Sequence, residues 1–255
     1  MRNTLAIAGK EVRAYFHSPI AYLVMAIYSV LCGFFLYSFV AEYLVQVFRT
    51  MEMGGPAPNL NEWIVRPLLE GILAVVLLFL VPLITMRLFA EEKRSGTIEM
   101  LLTSPLTDFQ IILGKFLGAL VLYIALMVIT FLYLSLLFIY GNPSALPLLA
   151  NALGMLLYGA GLLALGMWIS SFTKNQIIAG AVSLAVFLLL FVINWVNGYS
   201  SGVVGRVFNY LSLTTHFDNF GKGVIDLTDV VYYVSVIVVG LFLTARSLEA
   251  LKGRP

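Results

Sequence analysis

Polar residues in this chain form short islands between long apolar runs. Six runs reach the length of a membrane span: Ile20–Val40, Leu68–Leu88, Ile111–Tyr140, Leu146–Ser171, Ile177–Val196 and Val230–Leu248. A bilayer's hydrocarbon core is ~30 Å thick, and crossing it takes ~20 apolar residues of helix. Backbone groups cannot stay unpaired in lipid, so each run is predicted to be a helix. The fold class that follows is all-α: a polytopic membrane protein with six transmembrane helices, in one domain over residues 1–255.

The islands carry their own periodicity. Before the first run, Leu5, Ala8, Val12, Tyr15 and Phe16 share one helical face, while Lys10, Glu11 and Arg13 lie elsewhere. Residues 1–18 therefore read as an amphipathic helix lying in the membrane interface. Between runs two and three, residues 89–106 contain EEKRSGTIEMLLTSP, with five charges in its first nine positions. Ile98, Leu101 and Leu102 fall at i, i+3 and i+4, with Arg94 on the same side and Glu99 and Thr103 on a neighbouring stripe. Ser95 or Gly96 is placed to cap the helix start, and Pro105 to end it. Thr107 and Gln110 then fit a capping box, with Leu106 and Ile111 as its staple. The helix they start runs ~50 Å to Tyr140, long enough to tilt or to project from the bilayer near Lys115. Gly114 and Gly118 form a lone GxxxG, and Pro82 is a candidate kink.

Run four is rich in small residues: Ala150, Gly154, Gly159, Ala160, Gly161, Ala164, Gly166 and Ser170. Small residues let helices approach closely in lipid, either inside the bundle or across a dimer. Two connections are long, residues 41–67 and 197–229. The second contains VVGRVFNYLSL, too short to span and too apolar for a plain loop, so a re-entrant segment is expected.

Composition changes the picture by exclusion. The 255 residues are 61% hydrophobic and 11% charged, against ~45–50% and ~25% in soluble domains. A net charge of +2 without a basic patch gives nucleic acid no footing. One cysteine, Cys32, allows no intramolecular disulfide. Charges near the start leave no cleavable signal peptide evident. The side bearing the termini collects eleven Lys and Arg, the other side four, so both termini are expected in the cytoplasm.

The chemistry is sparse. The chain has no G-x-x-x-x-G-K-[ST], H-E-x-x-H or G-x-S-x-G, hence no nucleotide-binding loop of its own and no catalytic site of those types. His17 and His216 fall on opposite sides of the membrane and cannot share a metal. His216 and Asp218 read as a polar loop pair, and Met51 and Met53 as ordinary loop residues. The span centres hold no Asp, Glu, Lys, Arg or His; Arg66, Glu70, Arg87 and Lys115 sit near span ends, where snorkelling is easy. Self-powered carriers need ionisable groups or broken helices at the midplane, so energy is expected from another chain. Positive-inside bias accounts for Lys93 and Arg94 but not for Glu91, Glu92 and Glu99. Mixed charge around an apolar stripe is what a protein partner would grip.

The run LFAEEKRSGTIEMLLTSPLTDFQIILGKFLG resembles the segment after the second span of type-2 ABC transporter permeases, closest to single-domain permeases of the gliding-motility and nitrous-oxide-accessory kind. The likeness extends to AIAGKEVRAYFHSPIAYL and LSLTTHFDNFGKGVIDLTDVVYYVSVI. It implies an ATP-driven exporter in which a separate cytoplasmic ATPase binds ATP and Mg, so that this chain is no enzyme and holds no cofactor or metal. It implies a second permease copy or a related permease, and a bacterial or archaeal cytoplasmic membrane. It implies an amphipathic helix at about residues 2–16, re-entrant helices at roughly 200–228, and a coupling helix that enters the ATPase. The residues carried over to that helix are Glu91, Glu92, Lys93, Arg94, Gly96, Thr97, Glu99, Leu101 and Leu102. The alternative is a non-transporting membrane subunit that passes ATPase-driven motion to an envelope or motility partner.

Overall fold

The computed structural model describes residues 2–252 apart from 104, 142 and 197–202. Among the described residues every regular element is helical, and six helical segments are long and apolar enough to cross a membrane. Helix α1 (Arg2–His17) precedes α2 (Pro19–Glu52), which has Pro19 in its first turn and Ser18 as N-cap. Two π-helical stretches, Asn61–Val65 and Pro67–Leu73, lead into α3 (Ala74–Thr85). Pro67 has no N–H to donate to an ordinary helical turn, which favours the wider one there. Then come α4 (Ala90–Ser95), α5 (Thr97–Leu102), α6 (Asp108–Tyr140), α7 (Ala145–Ser170) and α8 (Gln176–Val196). Helices α9 (Val203–Leu211), α10 (Leu213–Gly221) and α11 (Leu227–Lys252) complete the chain.

Helix α7 is the axis of the bundle and packs against α3, α6, α8, α10 and α11. Its small residues serve this chain's own packing. A side chain at Gly154 would reach within 2.7 Å of Phe220. Gly159 and Gly166 give way to Tyr123 of α6 and Thr85 of α3. Polar contacts add direction inside the apolar bundle: Tyr28 of α2 and Thr130 of α6 share a hydrogen bond of 2.6 Å, and Tyr158 donates to the Ala74 carbonyl at 3.3 Å. Pro82 lies inside α3, which runs through it to Thr85.

The predicted capping box of α6 is present in both directions, Thr107 accepting from the Gln110 N–H and Gln110 from the Thr107 N–H. The first expected outer loop is shorter than 41–67. Helix α2 continues to Glu52, because Glu42, Gln46 and Arg49 can be solvated on a helix that projects past the lipid. In the second, residues 197–202 lie outside the described ones; the remainder forms α9 and α10, and α10 packs on α7, α8 and the π-helical stretch.

The face that α1 buries also differs from the expected one. Thr4, Ala8 and Tyr15 are buried and Glu11 is half-buried, while Leu5 is 66% exposed. That stripe lies on α6, and the GxxxG pair is its seat. A Cβ on Gly118 would stand 2.5 Å from Glu11 Cβ, and one on Gly114 2.7 Å from Ile7 Cβ. Two missing side chains thus set the approach of α1 to α6. Overpacking a tight contact costs about 1–3 kcal/mol. Gly118→Leu is therefore expected to lift α1 from α6 and speed amide exchange across residues 2–17 at least tenfold, with α7 unchanged. Unaltered protection over α1 would refute this seat.

Candidate docking and coupling site

Where α3 ends, the chain turns through residues 86–89 into α4 and is held there by the end of α7. Ser170 Oγ donates to the Met86 carbonyl at 3.1 Å and accepts from the Phe89 and Ala90 N–H groups, both at 3.2 Å. These N–H groups open a helix without an intrahelical partner. One serine satisfies both. Beside it, Lys93 Nζ donates to the Ser171 carbonyl, which also accepts from Ser247 of α11 at 3.3 Å.

The other side of α4 meets α1 and α6 through one cation. Lys115 of α6 is 2% exposed, and its ammonium lies 2.8 Å from both Glu92 of α4 and Glu11 of α1. It also stands 5.3 Å from the centre of the Phe89 ring, in cation–π range. Tyr15 adds a neutral tie, its hydroxyl donating to the Ile84 carbonyl at 2.9 Å. Burial, and then the nearby Glu11 carboxylate, hold the Tyr15 phenol above its ordinary range, so it stays a donor. Arg87 lies over the Tyr15 ring at 5.7 Å and pairs with Glu91 at 3.1 Å. Lys115 was expected to snorkel. It is enclosed instead, because α1 covers it and brings a carboxylate.

Gly96 then turns the chain with φ +76°, a conformation that suits glycine. Around the bend, Ser95 Oγ donates to the Glu91 carbonyl at 3.0 Å and lies 2.9 Å from Thr97 Oγ1. One docking helix was expected; two form, α4 and α5, joined as a hairpin at this glycine. Their faces divide the expected site. Glu92, Lys93 and Leu101 are turned toward the protein with Ile98, whereas Glu91, Arg94, Gly96, Thr97 and Glu99 are exposed. Leu102 lies in α5, and its side chain is outside the described residues. The largest outward apolar group is Met100, 74% exposed. Between α1 and the hairpin lies a cleft of about 530 Å³ that opens past Lys10, Glu92, Met100 and Leu106. Glu92 Oε2 and Arg87 Nη1 are buried at this cleft with no hydrogen-bond partner among the described residues.

Sequence periodicity missed Glu11, Ser170, Ser171 and Met100 as parts of this site. Only Ser170 and Ser171 carried a signal, as polar residues at the end of an otherwise apolar span. On the opposite side, His216 and Asp218 part company. Asp218 pairs with Arg66 at 2.5 Å and with Lys222, while His216 stacks on Tyr232 and meets Asp229 at 2.8 Å. Both pairs fasten α10 to its neighbours.

The family described as ABC-2 family transporter protein matches residues 5–245, which includes all of α2 to α10 and the hairpin. The chain belongs to the ABC-2 transporter family. A multi-pass membrane protein follows from that membership and the six apolar helices. The chain is also 30% identical over 178 residues to the probable multidrug ABC transporter permease YbhR of Escherichia coli, in strains K12 and O157:H7. The match covers 64% of this chain and 47% of each relative, so the chain spans about half the length of the curated relatives it matches.

In this ABC-2 chain the hub formed by Lys115, Glu11 and Glu92 and the contacts of Ser170 each set an energetic expectation. Removing one partner of a buried ionic group costs about 3–5 kcal/mol. Lys115→Met should lower the melting temperature of the detergent-solubilised protein by that equivalent, and adding Glu11→Gln and Glu92→Gln should recover most of it. A single variant as stable as the parent would show the hub to be dispensable. Ser170→Ala leaves two buried N–H groups unpaired at about 1–3 kcal/mol, and amide exchange at Phe89 and Ala90 should rise; unchanged exchange there would count against this role of Ser170.

Proposed function

We propose that this chain is the permease subunit of an ATP-driven ABC exporter. The observation that carries the reading is the hairpin itself. Its inward side is tied to α1, α6, α7 and, through Ser171, α11, while its outward side offers Arg94, Thr97, Glu99 and Met100 to a partner. Family membership supports a cytoplasmic ATPase as that partner. ATP and Mg belong to the ATPase, and this chain has no catalytic residue in the scheme. The excess of Lys and Arg on the side of the termini supports a cytoplasmic position for the hairpin, in a bacterial or archaeal cytoplasmic membrane.

When the ATPase moves, it pushes on α4–α5. Helix α4 cannot yield locally, since Ser170 and Lys115 fix it to α7, α6 and α1. The push therefore reaches several spans together and tilts the permease as a unit. A second permease, identical or related, supplies the other wall of the path. The EEKRSGTIEMLLTSP pattern supports placing the chain among single-domain permeases of the gliding-motility and nitrous-oxide-accessory kind. The description of YbhR as a probable multidrug permease makes small organic compounds the first substrate class to try.

Docking is tested on the outward residues, since Glu92 and Leu101 also hold the hairpin in place. Arg94→Glu combined with Met100→Asp should cut ATPase co-purification at least tenfold and stop ATP-driven uptake into inverted vesicles. Melting of the permease should stay within about 1 kcal/mol of the parent, as surface substitutions do. An ATPase that stays bound to this variant would sink the proposed docking face.

A further inference from the structure

Helix α1 has a third side that neither its seat on α6 nor the coupling hub uses. At 3.6 residues per turn, Thr4, Ala8, Glu11 and Tyr15 form the buried side. Leu5, Val12 and Phe16 form a flank about 100° around from it, and Arg2, Arg13 and Lys10 continue beyond that flank. The only acid of α1, Glu11, is turned inward onto Lys115. Arg2, Lys10 and Arg13 are all exposed, and among the described residues none has an acid within the 4.0 Å of an ion pair. Most acids at this end of the molecule are already paired: Glu91 with Arg87, Glu92 with Lys115, Asp108 with Lys252 and Glu249 with Arg246. The outer side of α1 thus presents uncompensated positive charge.

The apolar flank fixes what lies opposite that charge. Leu5 is exposed, and Phe16 meets Tyr22 of α2 edge-on at 6.1 Å between ring centres. Tyr22 and Leu23 are themselves exposed on α2, a span whose surface is mostly turned outward. The flank is therefore continuous with the lipid-facing surface of the first span, which sets α1 at the level of the headgroups.

We propose that this side of α1 binds the anionic headgroups of phospholipids in the leaflet it lies against. Arg2 and Arg13 meet the phosphates, and Leu5, Val12 and Phe16 sit among the upper acyl carbons. A soluble acidic protein could answer the charge, but it would have to share the site with lipid at the apolar flank. Because α1 and the hairpin share Lys115, lipid held here also bears on the coupling hub.

The site can be tested on the permease in nanodiscs. Ala6 is exposed within the basic sector and Cys32 is fully buried, so Ala6→Cys allows an environment-sensitive fluorophore to be attached at one place. Phosphatidylglycerol titrated into phosphatidylcholine should shift the fluorescence saturably, and added salt should weaken the shift. Arg2→Gln and Arg13→Gln should each raise the half-saturating fraction roughly fivefold, and Arg13→Lys should restore it. Loss with Gln and recovery with Lys separates charge recognition from a folding defect. No shift on adding phosphatidylglycerol, or the same shift in the Arg2→Gln, Arg13→Gln double variant, would overturn the proposal. So would a shift that the acidic surface of a protein partner produces in phosphatidylcholine alone and phosphatidylglycerol does not.

Discussion

A single buried ammonium constrains this fold more than any other group. Lys115 cannot be enclosed without counter-charge, since desolvating an ion costs several kcal/mol. Its two carboxylates come from different elements, Glu11 on α1 and Glu92 on α4. The approach of α1 to α6, the start of the hairpin and the angle at which α6 leaves the bilayer must all agree on one point. The glycines at 114 and 118 let the helices come close enough for that agreement. Ser170 repeats the logic in neutral form, joining the turn before α4 to α7. Together they turn six residues of α4 into a rigid extension of three helices.

The spans were legible because lipid imposes one rule on every residue in them. An apolar run of sufficient length has to be a helix, and α6, α7, α8, α11 and the π-helical stretch Pro67–Leu73 together with α3 follow their predicted runs. The capping box at Thr107 was legible for a similarly local reason. What hydrophobicity could not tell was which side of a helix turns inward. At a membrane interface the apolar side can face lipid and the polar side the protein, the reverse of a soluble core. So Leu5 points out and Glu11 points in. Of the stripe read in α5, Ile98 and Leu101 turn inward, while Met100, off that stripe, is exposed.

The division between the inward and outward residues of the hairpin also sharpens how the ABC-2 pattern is read. Glu92 and Lys93 match that pattern beside Arg94 and Glu99, yet they do different work. The first two attach the hairpin to the bundle; the others remain available at its surface. One short stretch of sequence thus holds both the residues that fasten the hairpin and those left at its surface.

The partners of Lys115 are far apart along the chain: Glu11 is 104 residues earlier. During synthesis α1 leaves the ribosome long before the groove that receives it exists. Until the third span is inserted, Glu11 has no cation to meet and α1 no helix to lie on. The order of manufacture is thus written into the contact: α1, made before α6, settles only after it. Its docking closes the ring of α1, α4 and α6, so the hairpin is fastened only after half the membrane domain is in place.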